Sequence, residues 1–149
     1  MPRYPTGPKR PIDKENMFIL SNSLGTSQDA TTVRTSTVAE TFSGGHIQIS
    51  IGRVSGGGVV QVALVHIPEG ASTPTLSSTD GDPLCNPEEY MLWGASVYVP
   101  TASIEPVIMK DRIKTMRKLK PGDTMRVLMK GGVATVANVT ALLTSFYKQ

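Results

Sequence analysis

The chain contains little cysteine and little histidine, and both shortages exclude classes of protein. Of its 149 residues, one is cysteine and two are histidine. The lone Cys85 has no partner for an intramolecular disulfide, which argues against a small secreted scaffold held by disulfides. His46, His66 and Cys85 do not stand at the spacing of a zinc site. We therefore expect ordinary strand histidines, a buried thiol, and neither a metal ion nor a cofactor.

Long hydrophobic runs are also missing. No apolar segment reaches the length that a membrane-spanning helix needs, and the first residues lack the apolar centre of a signal peptide. We therefore expect a soluble protein made in a reducing compartment, with no membrane partner. The length suits one domain, and the net charge of +3 permits an anionic partner without requiring one.

Motifs that would indicate an enzyme are absent as well. There is no Gly-x-Ser-x-Gly elbow for a nucleophilic serine, and the glycines at 56–58 lack the Lys-Ser/Thr of a phosphate-binding loop. Residues 80–82 resemble part of a calcium loop but lack its distal acid. The carboxylates are scattered, and none form an evident pair of general acid and base. We predict no enzymatic activity and no small-molecule substrate.

What the chain does contain is a series of short strand-like segments between glycines and prolines. Residues 46–54 alternate between apolar and polar side chains, which is the period of a half-buried strand. Residues 59–67 are apolar on both faces, which predicts a strand covered on one side by its own core and on the other by a second surface. The glycines at 55–58 predict a hairpin between these two strands. Further strands are predicted at 31–42, 91–99, 124–130 and 134–147.

The connections are equally typical of an all-β protein. Glycines predict turns at 43–45 and 131–132, and residues 68–87 predict a long loop. Asn86, followed by proline and acidic residues, favours a short helix after that loop. Seven or eight strands joined in this way indicate an antiparallel sandwich or barrel.

The first residues are basic and rich in proline, with four prolines within residues 1–14. Proline at this density prevents helix and central strand. Residues 14–20 fit a single helical turn or an extended lead-in, and residues 21–30 fit a loop, so we divide the chain into an arm of residues 1–29 and a domain of residues 30–149. The arm is either a disordered end or a contact for nucleic acid. Its cations are Arg3, Lys9, Arg10 and Lys14.

The segment 109–130 holds a large share of the positive charge, and its periodicity fits both helix and strand. The Pro121-Gly122 turn, followed by alternating residues, favours two strands paired across the turn. Their cations would then form one surface, which either binds phosphates without reading sequence or is a solvated face. Exposed aromatics are few, so specific recognition of a single strand is not expected. The cations are Lys110, Arg112, Lys114, Lys118, Lys120, Arg126 and Lys130.

Two segments carry a family resemblance. Residues 87–94 read Pro-Glu-x-x-x-Leu-Trp-Gly, and residues 114–123 read Lys-Thr-Met-Arg-Lys-Leu-x-x-Gly-Asp. The two segments resemble the capsid proteins of small circular Rep-encoding single-stranded DNA viruses, the CRESS-DNA group. The order of the other features along the chain resembles this family too: the arm comes first, then TTVRTSTVAETFSGGHIQISIGRV, VVQVALVHIPEG and the closing ALLTSFYK. The resemblance spans about residues 31–148, and neither segment is catalytic.

This resemblance implies a fold and a function. The fold is an all-β, antiparallel, eight-stranded single jelly-roll β-sandwich with a short N-terminal arm. The function is self-assembly into a small icosahedral (T=1) shell, commonly of sixty identical copies, around a circular single-stranded DNA genome. The protein would reside in the virion, and in the host cytoplasm or nucleus during assembly. Its arm is shorter and less arginine-rich than that of many family members.

The nucleic-acid contacts that we predict combine the arm with the basic segment: Arg3, Lys9, Arg10, Lys14, Arg112, Lys114, Lys118, Lys120 and Arg126. Two alternatives remain open at this point. One is a non-viral jelly-roll binding module, which would need an aromatic pocket or a metal site. The other is a small oligomeric nucleic-acid-binding protein that uses a helix at 109–119.

Overall fold

The computed structural model describes residues 14–24, 27–55, 58–76, 85–86, 88–100, 106–131 and 136–149. Almost all of its regular structure is strand. A 3-10 helix at Glu88–Tyr90 confirms the short helix predicted after the long loop. The strands are β1 (Lys14–Leu24), β2 (Asp29–Thr35), β3 (Glu40–Ser55), β4 (Gly58–Ile67), β5 (Thr75–Leu76), β6 (Cys85–Asn86), β7 (Met91–Val99), β8 (Val107–Ile113), β9 (Arg117–Leu119), β10 (Thr124–Gly131) and β11 (Val136–Lys148). Within these ranges, no helix is long and apolar enough to cross a membrane.

The strands form two main antiparallel sheets that together make a jelly roll. The first sheet has the order β1-β11-β3-β8, with β9 also paired to β3, and the second has the order β2-β10-β4-β7. The chain is folded back on itself as four pairs, which are β1 with β11, β2 with β10, β3 with β8, and β4 with β7. Two interleaved Greek keys of this kind define the fold, so the predicted jelly-roll sandwich is confirmed.

The main core lies between the two sheets and follows from the alternation of each strand. In β3, Ile47, Ile49 and Ile51 point inward and are at most 2% exposed. They pack in one cluster with Val60, Val62 and Leu64 of β4 and with Val139, Ala141 and Leu143 of β11. Burying apolar surface from both sheets is the main force that holds such a sandwich together.

A second, smaller cluster covers the outer side of β4. Ala63, Val65 and Ile67 pack with Leu128 and with Leu76, which follows the loop after β4. The prediction that this strand is covered on both sides is therefore confirmed. The second cover is the chain's own loop, and a neighbouring subunit is not needed there.

The first strand was not predicted. The lead-in and part of the loop expected over residues 14–30 form β1, which pairs with β11 along all eleven of its residues. Phe18 packs against the core, whereas Met17 and Ile19 point away from it and are 62% and 68% exposed. Four consecutive apolar residues at 17–20 hide the alternation that marks a half-buried strand, so periodicity did not indicate β1.

Both predicted hairpins are wrong. Strands β3 and β4 belong to different sheets, and so do β9 and β10. The predicted strand at 31–42 is also divided, because the chain crosses from the second sheet to the first at residues 36–39. Tight glycine or Pro-Gly turns suit a crossing between sheets as well as a hairpin. The true partners lie far away in the sequence, where no local pattern indicates them.

The glycines at 43–45 do not make the predicted turn but lie inside the long strand β3. There β3 changes partner, from β9 at residues 40–42 to β8 at residues 45–51. Gly44 has a φ of +97°, a conformation that other residues rarely adopt. A Cβ at Gly44 would lie 2.5 Å from the Ile113 carbonyl oxygen. This bend therefore requires glycine.

A partly buried ion pair joins the two sheets where β2 leads into β3. Arg34 donates two hydrogen bonds of 2.7 Å to Glu40, and Ser36 Oγ donates a third of 3.0 Å. The Arg34 guanidinium also lies 3.9 Å from the centre of the buried Tyr147 ring, which belongs to β11. Burial raises the pKa of Tyr147. The cluster fixes β2, β3 and β11 relative to one another.

A second polar cluster holds the crossing between β9 and β10. The Pro121-Gly122 turn has the expected hydrogen bond from the Asp123 amide to the Lys120 carbonyl, at 3.1 Å. The buried Asp123 carboxylate accepts the amides of Lys120 at 2.9 Å and Glu69 at 3.1 Å, and lies 2.8 Å from His66 Nε2. Burial alone would raise the pKa of Asp123, but these hydrogen bonds outweigh it and hold the pKa below its usual value.

We expect Gly44→Ala to lower the free energy of unfolding by about 1–3 kcal/mol, because alanine would be strained at positive φ and would meet Ile113. Gly52→Ala is the matched control in the same strand, since the nearest atom to its Cβ would be the Asn138 oxygen at 3.8 Å. Urea unfolding of both variants measures the effect. Equal stability of the two variants would contradict the account of the bend.

We expect Asp123→Asn to lower the free energy of unfolding by about 1–3 kcal/mol at neutral pH, because charge-assisted hydrogen bonds are weakened. The folded-state pKa lies below the unfolded value of about 3.9. The wild-type advantage is therefore complete above the unfolded value and is lost as the pH falls through the folded value. Urea unfolding across the acid range measures it, and an advantage independent of pH would be the contrary result.

Candidate nucleic-acid interface

Most of the cations predicted from segment 109–130 lie along one edge of the first sheet. Lys110 and Arg112 are exposed on β8, where their positions alternate with the inward-facing Met109 and Ile113. Lys114 follows β8, Lys118 is on β9, and Lys120 begins the turn; all three are exposed. We call this row of five cations the basic edge.

Arg126 does not belong to the basic edge, although the sequence suggested one continuous surface. It lies on β10 in the second sheet, where it is partly buried. Its Nη1 donates a 2.7 Å hydrogen bond to Thr73 Oγ1, and its Nε is buried without a partner. Arg126 therefore holds the loop after β4 against the sheet. Lys130 is also on β10, so both are separated from the basic edge.

The arm's predicted contacts are placed differently. Arg3, Lys9 and Arg10 lie outside the described residues. Lys14 begins β1 opposite Tyr147 of β11. Since β1 and β8 are the two outer strands of the first sheet, Lys14 is on the far side of the sheet from the basic edge.

The outer face of the first sheet changes from apolar to cationic across its four strands. One row runs from Ile19 through Leu142 and Gln48 to Lys110, and the next runs from Met17 through Thr144 and His46 to Arg112. The residues within each row are cross-strand neighbours, and their side chains lie close enough to form a common surface. Exposed apolar groups on β1 thus face the same side as the cations of β8.

Two grooves lie on this face beside the basic edge. The larger, of about 430 Å³, is lined by Gln48, Leu142 and Thr144 together with Lys110 and Arg112. The second, of about 310 Å³, shares His46 and Arg112 with the first and adds residues of β11 and the β8–β9 connection, which are Lys114, Met116 and Phe146. Because they share lining residues, the two grooves form one depression along the sheet.

An aromatic pair occupies the floor of this depression. The rings of His46 and Phe146 meet edge to face, with centres 6.3 Å apart and an interplanar angle of 88°. Phe146 is partly exposed. It faces outward because Ser145 and Tyr147 on either side of it point inward and are fully buried. The alternation of the last strand already contained this signal, but the sequence analysis did not use it.

Within the described part of the chain, Lys110, Arg112 and Lys114 form no side-chain ion pair, although Lys114 lies close enough to Asp111 to help lower the pKa of its carboxyl. The ion pair of Arg34 with Glu40 and the hydrogen-bonded contact of His66 with Asp123 both lie away from this face. Asp111 lines the larger groove, but its carboxylate accepts Trp93 Nε1 and the Arg112 amide, each at 2.8 Å. The hydrogen bond from Trp93, helped by the amide, holds the pKa of Asp111 below its usual value.

The two segments that carry the family resemblance contact each other. Thr115 Oγ1 donates a 2.6 Å hydrogen bond to the Leu92 carbonyl, and Arg117 Nη2 donates a 3.0 Å bond to the Glu89 carbonyl. The hydrogen bond from Trp93 of β7 to Asp111 of β8 lies beside these contacts. These contacts join β7 of the second sheet to the β8–β9 edge of the first. The conspicuous residues of both segments therefore serve to close the sandwich.

No metal site competes with this interpretation in the part of the chain that the structure describes. There, no group of three or more His, Cys, Asp or Glu side chains is placed to hold a metal ion. His66 is engaged with Asp123, and His46 with Phe146.

Comparisons with known proteins add little. No family model matches the sequence, and no curated protein matches it. Among solved structures, a chain of Desmodium yellow mottle tymovirus is similar, with 15% identity over 99% of this chain and 93% of that chain and a TM-score of 0.35. A score this low does not establish a common fold, so the jelly-roll assignment rests on the strand pairing described above.

Proposed function

We propose that this chain is the structural subunit of a small icosahedral shell, of about sixty copies, that encloses a circular single-stranded DNA genome. The observation that carries the proposal concerns residues 87–94 and 114–123. These two segments resemble capsid proteins of the CRESS-DNA group, and they pack against each other at the open edge of a jelly roll. A chance resemblance would not require the two segments to meet.

Exposed apolar side chains on several sides of the domain support an assembly with several neighbours. Ile19 and Ile108 lie on the first sheet, Tyr98 lies on β7 of the second, and Val38 lies in the crossing between β2 and β3. Each is 44% exposed or more. A subunit of a closed shell buries apolar groups against more than one neighbour.

The basic edge supports contact with an anionic genome. Its cations are exposed, and such groups bind phosphates without reading sequence. Lys14 and the arm's Arg3, Lys9 and Arg10 would add to this attraction. The chain would then package DNA through the domain as well as through its short arm, in the virion and in the host cell during assembly.

The alternatives are weaker. A nucleic-acid-binding helix at 109–119 is wrong, because Val107–Ile113 and Arg117–Leu119 are strands. A non-viral jelly-roll binding module would use the depression and its aromatic pair as a ligand pocket and would form a small oligomer, which the mass of the assembly distinguishes from a shell.

Negative-stain microscopy of the purified full chain tests the shell. We expect uniform round particles on the order of 20 nm across and about 1 MDa in mass, which suits about sixty domains of 15.9 kDa. Size-exclusion chromatography with light scattering gives the mass independently. A protein that stays monomeric or trimeric under all assembly conditions would exclude the proposed function.

Neutralising the basic edge tests the contact with the genome. The triple variant Lys114→Gln, Lys118→Gln and Lys120→Gln should contain less nucleic acid, and the slope of log affinity against log salt should fall by about 2 for single-stranded DNA. The matched single variants Lys118→Gln and Lys130→Gln compare the two sheets, and Lys130→Gln should have the smaller effect. Unchanged packaging by the triple variant would remove these three lysines from the contact with the genome.

A further inference from the structure

We infer that the depression on the outer face of the first sheet binds single-stranded DNA through a base as well as through phosphates, with an unpaired base stacked on Phe146 beside His46. This inference rests on the proposed function and specifies the ligand at its interface. It assigns a role to two aromatic side chains that the sequence analysis left without one.

The shape of the face favours a single strand over a duplex. Four strands spaced about 4.8 Å apart make a surface about 14 Å across between the outer strand axes. This surface is wider than the major groove of B-DNA, which is about 12 Å. The sheet face therefore does not fit into the major groove of a duplex. The bases of a duplex also stay stacked inside it, so a duplex contacts the basic edge only through its backbone. A single strand can lie across the face and turn a base toward it.

The chemistry of the depression fits a base better than a bare phosphate. Phe146 offers a partly exposed ring that is nearly perpendicular to the His46 ring, with the two ring centres 6.3 Å apart. Met116, which is 62% exposed, and the partly exposed Leu142 supply apolar walls. Gln48 and Thr144 supply polar groups for the edge of the base. Aromatic rings beside a cationic groove are the usual platform for single strands, and stacking accepts any base.

The cations are placed to hold the backbone on either side of this base. Lys110 and Arg112 are two residues apart on one side of β8, which separates them by about 6.6 Å along the strand. Lys114 continues the row beside the groove that contains Phe146. A backbone that follows β8 would therefore meet successive cations while its bases point across the sheet toward β3 and β11.

Oligonucleotides that differ only in their bases separate stacking from charge. Full-length protein, freed of nucleic acid, would be titrated with oligothymidylate of about 16 nucleotides, with an abasic oligomer of the same length, and with a duplex. We expect the thymidylate to bind about tenfold more tightly than the abasic oligomer, which carries the same phosphates. Phe146→Ala should remove most of this difference and leave binding of the abasic oligomer unchanged. Equal binding of the thymidylate and abasic oligomers by the wild type would overturn the inference.

Two further variants protect the test against a folding defect. Phe146→Leu keeps an apolar side chain in the strand, and His46→Ala removes the second ring; both should reduce the preference for bases. Tyr98→Ala removes an exposed aromatic from β7 of the second sheet and should change nothing. Loss of the preference in Tyr98→Ala, or its retention in all three variants of the depression, would refute the stacked base.

Photo-crosslinking inside particles separates this inference from the proposed function. Oligothymidylate carrying 5-iododeoxyuridine would be packaged, irradiated and digested, and the linked peptide identified by mass spectrometry. A link to Phe146 or His46 supports the stacked base. Particles that contain DNA but link elsewhere would refute the inference and leave the shell intact, whereas a chain that never forms particles refutes the proposed function.

Discussion

The first sheet depends on the insertion of β11 between β1 and β3. This strand is paired on both of its sides, and its inward residues Val139, Ala141 and Leu143 complete the core against β3 and β4. Without it, β1 would have no partner in the sheet and β3 would keep only its ladders with β8 and β9. The four nested pairs of the jelly roll follow from this arrangement, because each earlier strand then faces its partner in reverse order.

Hydrogen-bonded side chains hold the places where the chain passes from one sheet to the other. Arg34 with Glu40 does so between β2 and β3, and Asp123 with His66 does so between β9 and β10. Trp93 and Asp111 close the edge between β7 and β8. The core supplies most of the stability, whereas these polar contacts select the crossing geometry. They also determine which edge of the sandwich carries the exposed lysines.

The sequence predicted the class of fold better than the pairing of the strands. The alternation at 46–54 and the doubly apolar segment 59–67 both became core strands, because burial is a local property of a side-chain pattern. Pairing is not local: β1 meets β11 across more than half of the chain, and a Pro-Gly turn fits either a hairpin or a crossing. The separation of Arg126 from the basic edge could not be predicted for the same reason, since its partner Thr73 lies in a loop distant in the sequence. Phe146 could have been found, because its neighbours in the strand alternate clearly.

The position of Phe146 on β11 has a consequence for synthesis in the cell. The depression is made by β3, β8 and β11 together, so it does not exist on a nascent chain that has not yet released residue 148 from the ribosome. Incomplete chains would carry the lysines of the basic edge but no surface for a base. Under the proposed function, fragments that lack β11 would attract DNA by charge alone.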